Sequence, residues 1–156
     1  MTHTFSDTAH TETPPARVRD LMTPAPLAIS PETSVQEAYR LMQDQRIGHL
    51  PVCEDGRLVG LLSERDLRLV LPSPATSLAA HEVHYLLERL TVAEVMTRFP
   101  VTIGPDHTVT EAASRMLSHQ VQALPVTVNR RLVGILTRTH FLYAFIRAQA
   151  AQPLAA

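Results

Sequence analysis

Arg57-Leu58-Val59-Gly60-Leu61-Leu62-Ser63 returns 74 residues later as Arg131-Leu132-Val133-Gly134-Ile135-Leu136-Thr137. The same offset carries Met22-Thr23 onto Met96-Thr97, Glu37-Ala38 onto Glu111-Ala112, and Leu50-Pro51-Val52 onto Leu124-Pro125-Val126. Aligned without a gap, 18–67 and 92–141 share about 18 identities in about 50 positions, a strong internal repeat. Two copies of one small unit pack as a pseudo-twofold pair with a cleft between them, so function is sought where the copies differ. A half of about 60 residues is marginal for a core of its own, and the halves are expected to share one.

Outward from the repeated strand, each copy follows the same course. Val18–Met22 and Val92–Met96 read as a short helical turn, with Asp20 or Glu94 in its acidic first-turn region. Leu27-Ala28-Ile29 and Val101-Thr102-Ile103 read as short strands ending at Pro31 and Pro105. A helix follows, capped by Thr33 or Ser34 in the first copy and Thr108 in the second, with Glu37 or Glu111 at the reciprocal capping position. Val35, Ala38, Leu41 and Met42 keep helical spacing, as do Val109, Ala112, Met116 and Leu117. A hairpin comes next, turning on Asp55-Gly56 or Asn129-Arg130. A second helix starts near Ser63 or Thr137. The expected order is β-α-β-β-α, twice, in the α/β (α+β) class. The expected organisation is an arm over 1–16, a first unit over 17–80, a linker helix over 81–91, a second unit over 92–150 and a tail over 151–156. Pro72-Ser73-Pro74 ends the first closing helix, and Leu78–Leu90 reads as an amphipathic packing or dimer helix.

Composition narrows the function classes. The chain is 45% hydrophobic and 19% charged with a formal net charge of −1, and it has no run of Lys or Arg. A nucleic-acid or membrane surface needs a concentrated basic field, so neither partner is expected. The single cysteine, Cys53, excludes an internal disulfide and a cysteine-based zinc site. Met1–Arg17 has no apolar stretch and no later segment has the length of a membrane span, so a cytoplasmic protein is expected.

Three segments, each met twice in order, resemble the tandem CBS-domain pair, or Bateman module. They are Val18-Arg19-Asp20-Leu21-Met22-Thr23, Ile47-Gly48-His49-Leu50-Pro51-Val52 and Leu58–Asp66, with 92–97, 121–126 and 132–138 as their second copies. The resemblance covers about 18–147, and the joining stretch Arg65–Thr97 resembles that of acetoin-utilisation-type CBS proteins. The chain ends before the place where some of those carry an ACT-like domain. The resemblance implies a regulatory module, not an enzyme, that binds an adenosyl ligand such as AMP, ADP, ATP, S-adenosylmethionine, NAD or a cyclic dinucleotide. It further implies a disc-like homodimer that transmits binding to a protein partner. The alternative is a ligand-free structural or dimerisation module.

The residues support that chemistry at one place above others. In Gly60–Asp66 a strand ends, a hydroxyl caps a helix, and a carboxylate follows at the third position. The Ser63 hydroxyl can donate to a phosphate, with Arg65 beside it, and the Asp66 carboxylate can accept from both hydroxyls of a ribose. Read alone, Ser-x-x-Asp is also an ordinary capped helix start. In the second copy Thr137 keeps the hydroxyl and Arg138 follows, but His140 stands where Asp66 does. Imidazole cannot accept two ribose hydroxyls, so one competent site per chain is expected. His140 then either meets phosphate in a shared cleft or is surface. By the resemblance, adenine is expected against the strands Leu27–Ile29 and Val101–Ile103 and the segments Leu50-Pro51-Val52 and Leu124-Pro125-Val126, with Ile29, Val52 and Ile103 as candidate contacts; the ordinary role of these side chains is core.

Other signals are weaker. His81-Glu82-Val83-His84 lacks a third metal ligand. Cys53 reads as a packed thiol, and the repeated Arg57 and Arg131 as exposed turn residues. Phe141–Ile146 is expected to be buried in the core or a dimer contact.

Overall fold

A computed structural model describes residues 16–73 and 77–151. All but the last residue of the expected arm, Pro74 of the expected helix break, and the tail past residue 151 lie outside the described residues.

The described chain starts with α1 (Val18–Leu21), a single turn, and β1 (Thr23–Pro24). Then comes α2 (Val35–Gln45), where the Glu37 N–H donates to the Ser34 hydroxyl at 3.2 Å. β2 (His49–Glu54) and β3 (Arg57–Ser63) form the first hairpin, and α3 (Glu64–Val70) closes the copy. α4 (Ala80–Arg89) joins the copies. The second copy consists of α5 (Val92–Val95), β4 (Thr97–Arg98), α6 (Val109–His119), β5 (Ala123–Val128), β6 (Arg131–Thr137) and α7 (Arg138–Ala150). Both hairpins turn through two residues at positive φ, Asp55-Gly56 and Asn129-Arg130, as a tight antiparallel hairpin requires. Each also carries a register shift at the same place, Val52/Cys53 and Val126/Thr127.

The strands expected at Leu27–Ile29 and Val101–Ile103 shrink to single parallel bridges, Ile29 with Val52 and Ile103 with Val126. Proline is the reason. Pro26 and Pro31 bracket the first segment and Pro100 and Pro105 the second, and a residue without an N–H cannot extend a ladder. The backbone groups that remain are used. Ile29 N–H donates to the Pro51 carbonyl at 3.0 Å, and Cys53 N–H donates to the Ile29 carbonyl at 2.8 Å.

The described residues form two cores rather than the single shared one expected. One gathers Ile29, Val35, Ala38, Met42, Leu50, Val52, Leu62, Leu67 and Val92, with Val95 and Met96 packed against it. The other gathers Val18, Ile103, Ala112, Met116, Leu124, Val126 and Leu136, with Leu21 and Met22 against it. The opening turn of each sequence repeat therefore fills the core of the other. Pairing follows suit: β1 runs antiparallel to β6 (Thr23 opposite Ile135), and β4 to β3 (Thr97 opposite Leu61). The hairpins themselves meet at their turn ends, where Arg57 faces Arg131 and the Leu58 N–H donates to the Arg130 carbonyl at 3.0 Å. The exchanged segments, not a common core, hold the halves together.

Two helices are left partly uncovered. α4 packs on α2, with Leu87 and the adjoining Leu90 against the first core, while Tyr85 and Leu86 are exposed. In α7 only Phe141 joins a core. Leu142, Tyr143, Phe145 and Ile146 are 59–63% exposed, so the expected burial of this segment in the core does not occur. The helix touches α1 and β6 and then runs past them.

Candidate functional site

Ser63 ends β3 and caps α3, and Leu67, 2% exposed, anchors that helix in the first core. The Glu64 N–H donates to the Gly48 carbonyl at 3.0 Å, which ties the helix start to the residue that leads into β2. Here Ser63 and Asp66 satisfy each other. The Ser63 N–H and hydroxyl both donate to Asp66 Oδ2, at 2.8 and 2.6 Å, and the Asp66 N–H donates to Ser63 Oγ at 3.3 Å. Asp66 Oδ1 takes no hydrogen bond among the described residues, so one carboxylate oxygen is held and the other is open. A phosphate at Ser63 would compete with Asp66 for the hydroxyl. Arg65 is exposed.

His49 lies opposite Ser63 in the hairpin register and is half-buried. Burial pushes its pKa down, the Glu64 and Asp66 carboxylates push it back up, and Arg138 lowers it. Charges from both repeats thus act on one imidazole, so His49 senses the starts of α3 and α7 together. Sequence reasoning missed His49, which sits inside an apolar strand. The second copy has Ala123 there, opposite Thr137. Glu64 also lines a cavity of about 180 Å3 with Tyr39, Met42, Gln43, Leu67 and Arg68. That is smaller than the roughly 300 Å3 at which ligand pockets begin.

The matching corner of the second copy is built differently. The Thr137 N–H donates to His140 Nδ1 at 2.9 Å, and the Thr137 hydroxyl lies 2.9 Å from the same nitrogen. A backbone N–H can only donate, so Nδ1 is the acceptor and the neutral ring carries its proton on Nε2. Nε2 then donates to Thr23 Oγ1, 2.9 Å away on β1. His140 is half-buried, and burial pushes its pKa below the ordinary value. Thr23 was invisible as a site residue because it belongs in sequence to the other repeat. Arg138 and the neighbouring Thr139 are exposed.

Ile29, Val52 and Ile103 are 9%, 0% and 2% exposed, so their side chains belong to the cores. The copies differ here too: Arg115 Nη1 donates to the Thr102 carbonyl at 2.7 Å, where the first copy has Leu41. Away from this centre, His84 Nδ1 accepts from the Gln36 amide at 2.8 Å, and its Nε2 is 3.2 Å from Glu88, which ties α4 to α2. Burial pushes the Cys53 thiol pKa up. Arg57 and Arg131 are exposed at the hairpin ends.

The family model of the CBS domain matches residues 18–73 and again 92–147. Among curated relatives, the chain is similar to an inosine-5'-monophosphate dehydrogenase of Korarchaeum cryptofilum, 33% identical over 129 residues. That match takes in 81% of this chain but only 22% of the dehydrogenase, so the chain spans about a fifth of that relative's length. It is likewise 33% identical over 118 residues to the CBS domain-containing protein YhcV of Bacillus subtilis, covering 76% of this chain and 77% of that one. Among solved structures it is similar to CBSX2 in complex with AMP, at 28% identity and TM-score 0.70, over 86% of this chain and 98% of that one. It is also similar to the CBS domain pair of protein MJ0100 in complex with 5'-methylthioadenosine and S-adenosyl-L-methionine, at 26% and 0.72, over 86% and 99%. A protein from Vibrio cholerae described as acetoin utilization protein AcuB matches at 27% and 0.70, over 88% and 98%.

Proposed function

Because the chain belongs to the CBS-domain family and carries two of those domains in tandem, we propose that it is a regulatory module, not an enzyme, that binds an adenosyl ligand beside Asp66. The observation that carries this reading is the open Asp66 Oδ1 at the start of α3, held in place by the Ser63 N–H and hydroxyl on Oδ2. A carboxylate fixed by one oxygen is a preorganised acceptor for ribose hydroxyls, and each charge-assisted bond contributes about 1.5–3 kcal/mol. That CBSX2 and the MJ0100 pair were solved with AMP, and with S-adenosylmethionine and methylthioadenosine, supports the ligand class. ADP, ATP, NAD and cyclic dinucleotides share the adenosyl group.

One site per chain follows from the replacement of Asp66 by His140 in the second copy. The exposed Leu142, Tyr143, Phe145 and Ile146 of α7 support a homodimer through that face. No described helix is long and apolar enough to cross a membrane. The proposed module works in the cytoplasm with a protein partner that reads the ligand-dependent change.

A second reading, a structural module without ligand, is favoured by the Ser63–Asp66 box, which already occupies the Ser63 hydroxyl and one Asp66 oxygen internally. Thermal unfolding separates the two. Wild type and Asp66→Asn are melted with AMP, ADP, ATP, S-adenosylmethionine, NAD and cyclic di-AMP. Asn keeps an acceptor for the Ser63 N–H but loses the charge offered to ribose. At about 100 times its Kd a ligand stabilises by about 2.7 kcal/mol, an upward Tm shift of about 2–8 °C. The expected result is a shift with one of these ligands that Asp66→Asn loses. No shift with any of them in folded protein selects the structural module.

A further inference from the structure

β1 is the strip by which the first sequence repeat is grafted onto the second hairpin, and His140 is its side-chain fastening. The ring bridges Thr137, at the start of α7, and Thr23, on β1, with one nitrogen for each. The backbone of the graft is short: Thr23 pairs with Ile135, Pro24 with Gly134, and the Ala25 N–H donates to the Val133 carbonyl at 3.1 Å. The graft has few ladder bonds, and this side-chain tie adds to the packing of Val18, Leu21 and Met22 in the second core that also seats it.

This tie works only with a neutral ring. A proton added to Nδ1 would face the Thr137 N–H at 2.9 Å, donor against donor. The Thr137 hydroxyl can rotate to accept it, but the backbone N–H cannot turn away. The cation would also sit at the start of α7, where the helix dipole is positive and repels it. The charged groups on the surrounding elements, Glu64 and Asp66 at the start of α3 among them, are not among the causes that set the His140 pKa. On α1, Arg19 is paired with Asp106, and the Asp20 carboxylate accepts the Arg17 N–H at 2.8 Å. On α7, Arg138 adds positive charge. β1 has no charged residue, and β6 has only Arg131, at its far end against Arg57.

We propose that His140 is a proton-operated latch on the joint between the repeats: neutral, it pins Thr23 of β1 to the start of α7, and protonated, it releases β1 from β6. The direction follows from linkage. Burial keeps the latched ring neutral, with a pKa below the ordinary value of about 6.5 that the released ring recovers. The latch is at full strength above about pH 6.5 and is lost as pH falls, because the open form takes up a proton the closed form refuses. Each unit between the two pKa values raises the open fraction about tenfold across the titration.

The test is amide hydrogen exchange on the full chain, expressed as protection factors so that the intrinsic pH dependence of exchange cancels. Histidine NMR is recorded alongside to read tautomer and pKa. Wild type, His140→Asn and His49→Gln are compared between pH 7.5 and 5. The Asn side chain retains an acceptor for the Thr137 N–H but neither titrates nor reaches Thr23. In wild type and His49→Gln, protection at Ala25 and along β6 is expected to fall with pH, while the β3–β4 ladder keeps its own. His140→Asn is expected to show low protection at Ala25 at every pH, and His140 the Nε2–H tautomer with a pKa below about 6.5. A His140 pKa at or above that value overturns the latch. So does Ala25 protection that follows one curve in wild type and His140→Asn, or a pH dependence that disappears in His49→Gln.

Discussion

Gly134 and Gly60 fix how closely the repeats approach. A Cβ on Gly134 would run into the Met22 sulfur and lie 3.1 Å from the Thr23 carbonyl, and one on Gly60 would run into the Met96 thioether. Both glycines are where an exchanged methionine crosses the other repeat's hairpin, but the obstacles differ. A thioether can rotate away, whereas the Thr23 carbonyl belongs to the β1 backbone. Gly134→Ala is therefore expected to cost about 1–3 kcal/mol, and Gly60→Ala measurably less, in urea unfolding. Equal losses would mean that the methionines alone set the spacing. At this scale the sequence was legible where chemistry is local. Ser63 with Asp66, and Thr137 with His140, are three residues apart and form the contacts their spacing suggests. His49 was hidden because its place opposite Ser63 depends on the Val52/Cys53 register shift, which leaves no mark in the residue types. Thr23 was hidden because its partner lies 117 residues away.

Elements repeat more faithfully than residues do. The positive-φ positions fall into pairs at the repeat offset: Ala25 with Phe99, Arg46 with Gln120, Asp55 with Asn129, and Gly56 with Arg130. Only one of these pairs contains a glycine, so the second hairpin carries a left-handed cost that the first avoids. Left-handed backbone costs a residue with a Cβ about 1–2 kcal/mol, against about 0.4–1 kcal/mol for the extra unfolded-state freedom of glycine. Arg130→Gly is expected to stabilise the protein by about 0.5–1 kcal/mol, the difference, as a higher urea midpoint with unchanged slope. Helices were legible in the sequence because caps and apolar spacing are local: Ser34, Ser63, Thr108 and Thr137 all precede the helices they were expected to start. The short strands were not. β1 and β4 are two residues each, and their pairing depends on the other repeat rather than on their own sequence.

The whole molecule is a pair of cores that each borrow a turn. Val18 and Val92, both fully buried, sit in the core opposite to the one their sequence repeat builds. Residues 25–98 therefore hold the first core complete, whereas 17–80 lacks Val92, Val95 and Met96. Burying a valine contributes about 1.5 kcal/mol or more, set against a total of about 5–15 kcal/mol for a domain. The 25–98 fragment is expected to unfold cooperatively in urea and 17–80 is not. The opposite outcome would make the sequence repeat the folding unit. Periodicity showed that there are two copies but not that they trade pieces, since turns as alike as Val18–Met22 and Val92–Met96 leave no trace of which hairpin each one joins.

That trade fixes an order of events during synthesis. Thr23 is made 112 residues before Ile135, its partner across the β1–β6 ladder. At about 5–20 residues per second, the two are separated by roughly 6–22 s on the ribosome. The first core has all its parts once α5 has emerged, well before β6 exists. Through that interval the hairpin that receives Val18 and Met22 does not yet exist. The opening turn of the first repeat, translated before either hairpin, thus waits longest for its seat, and the newborn chain carries an unplaced apolar turn until its second hairpin is complete.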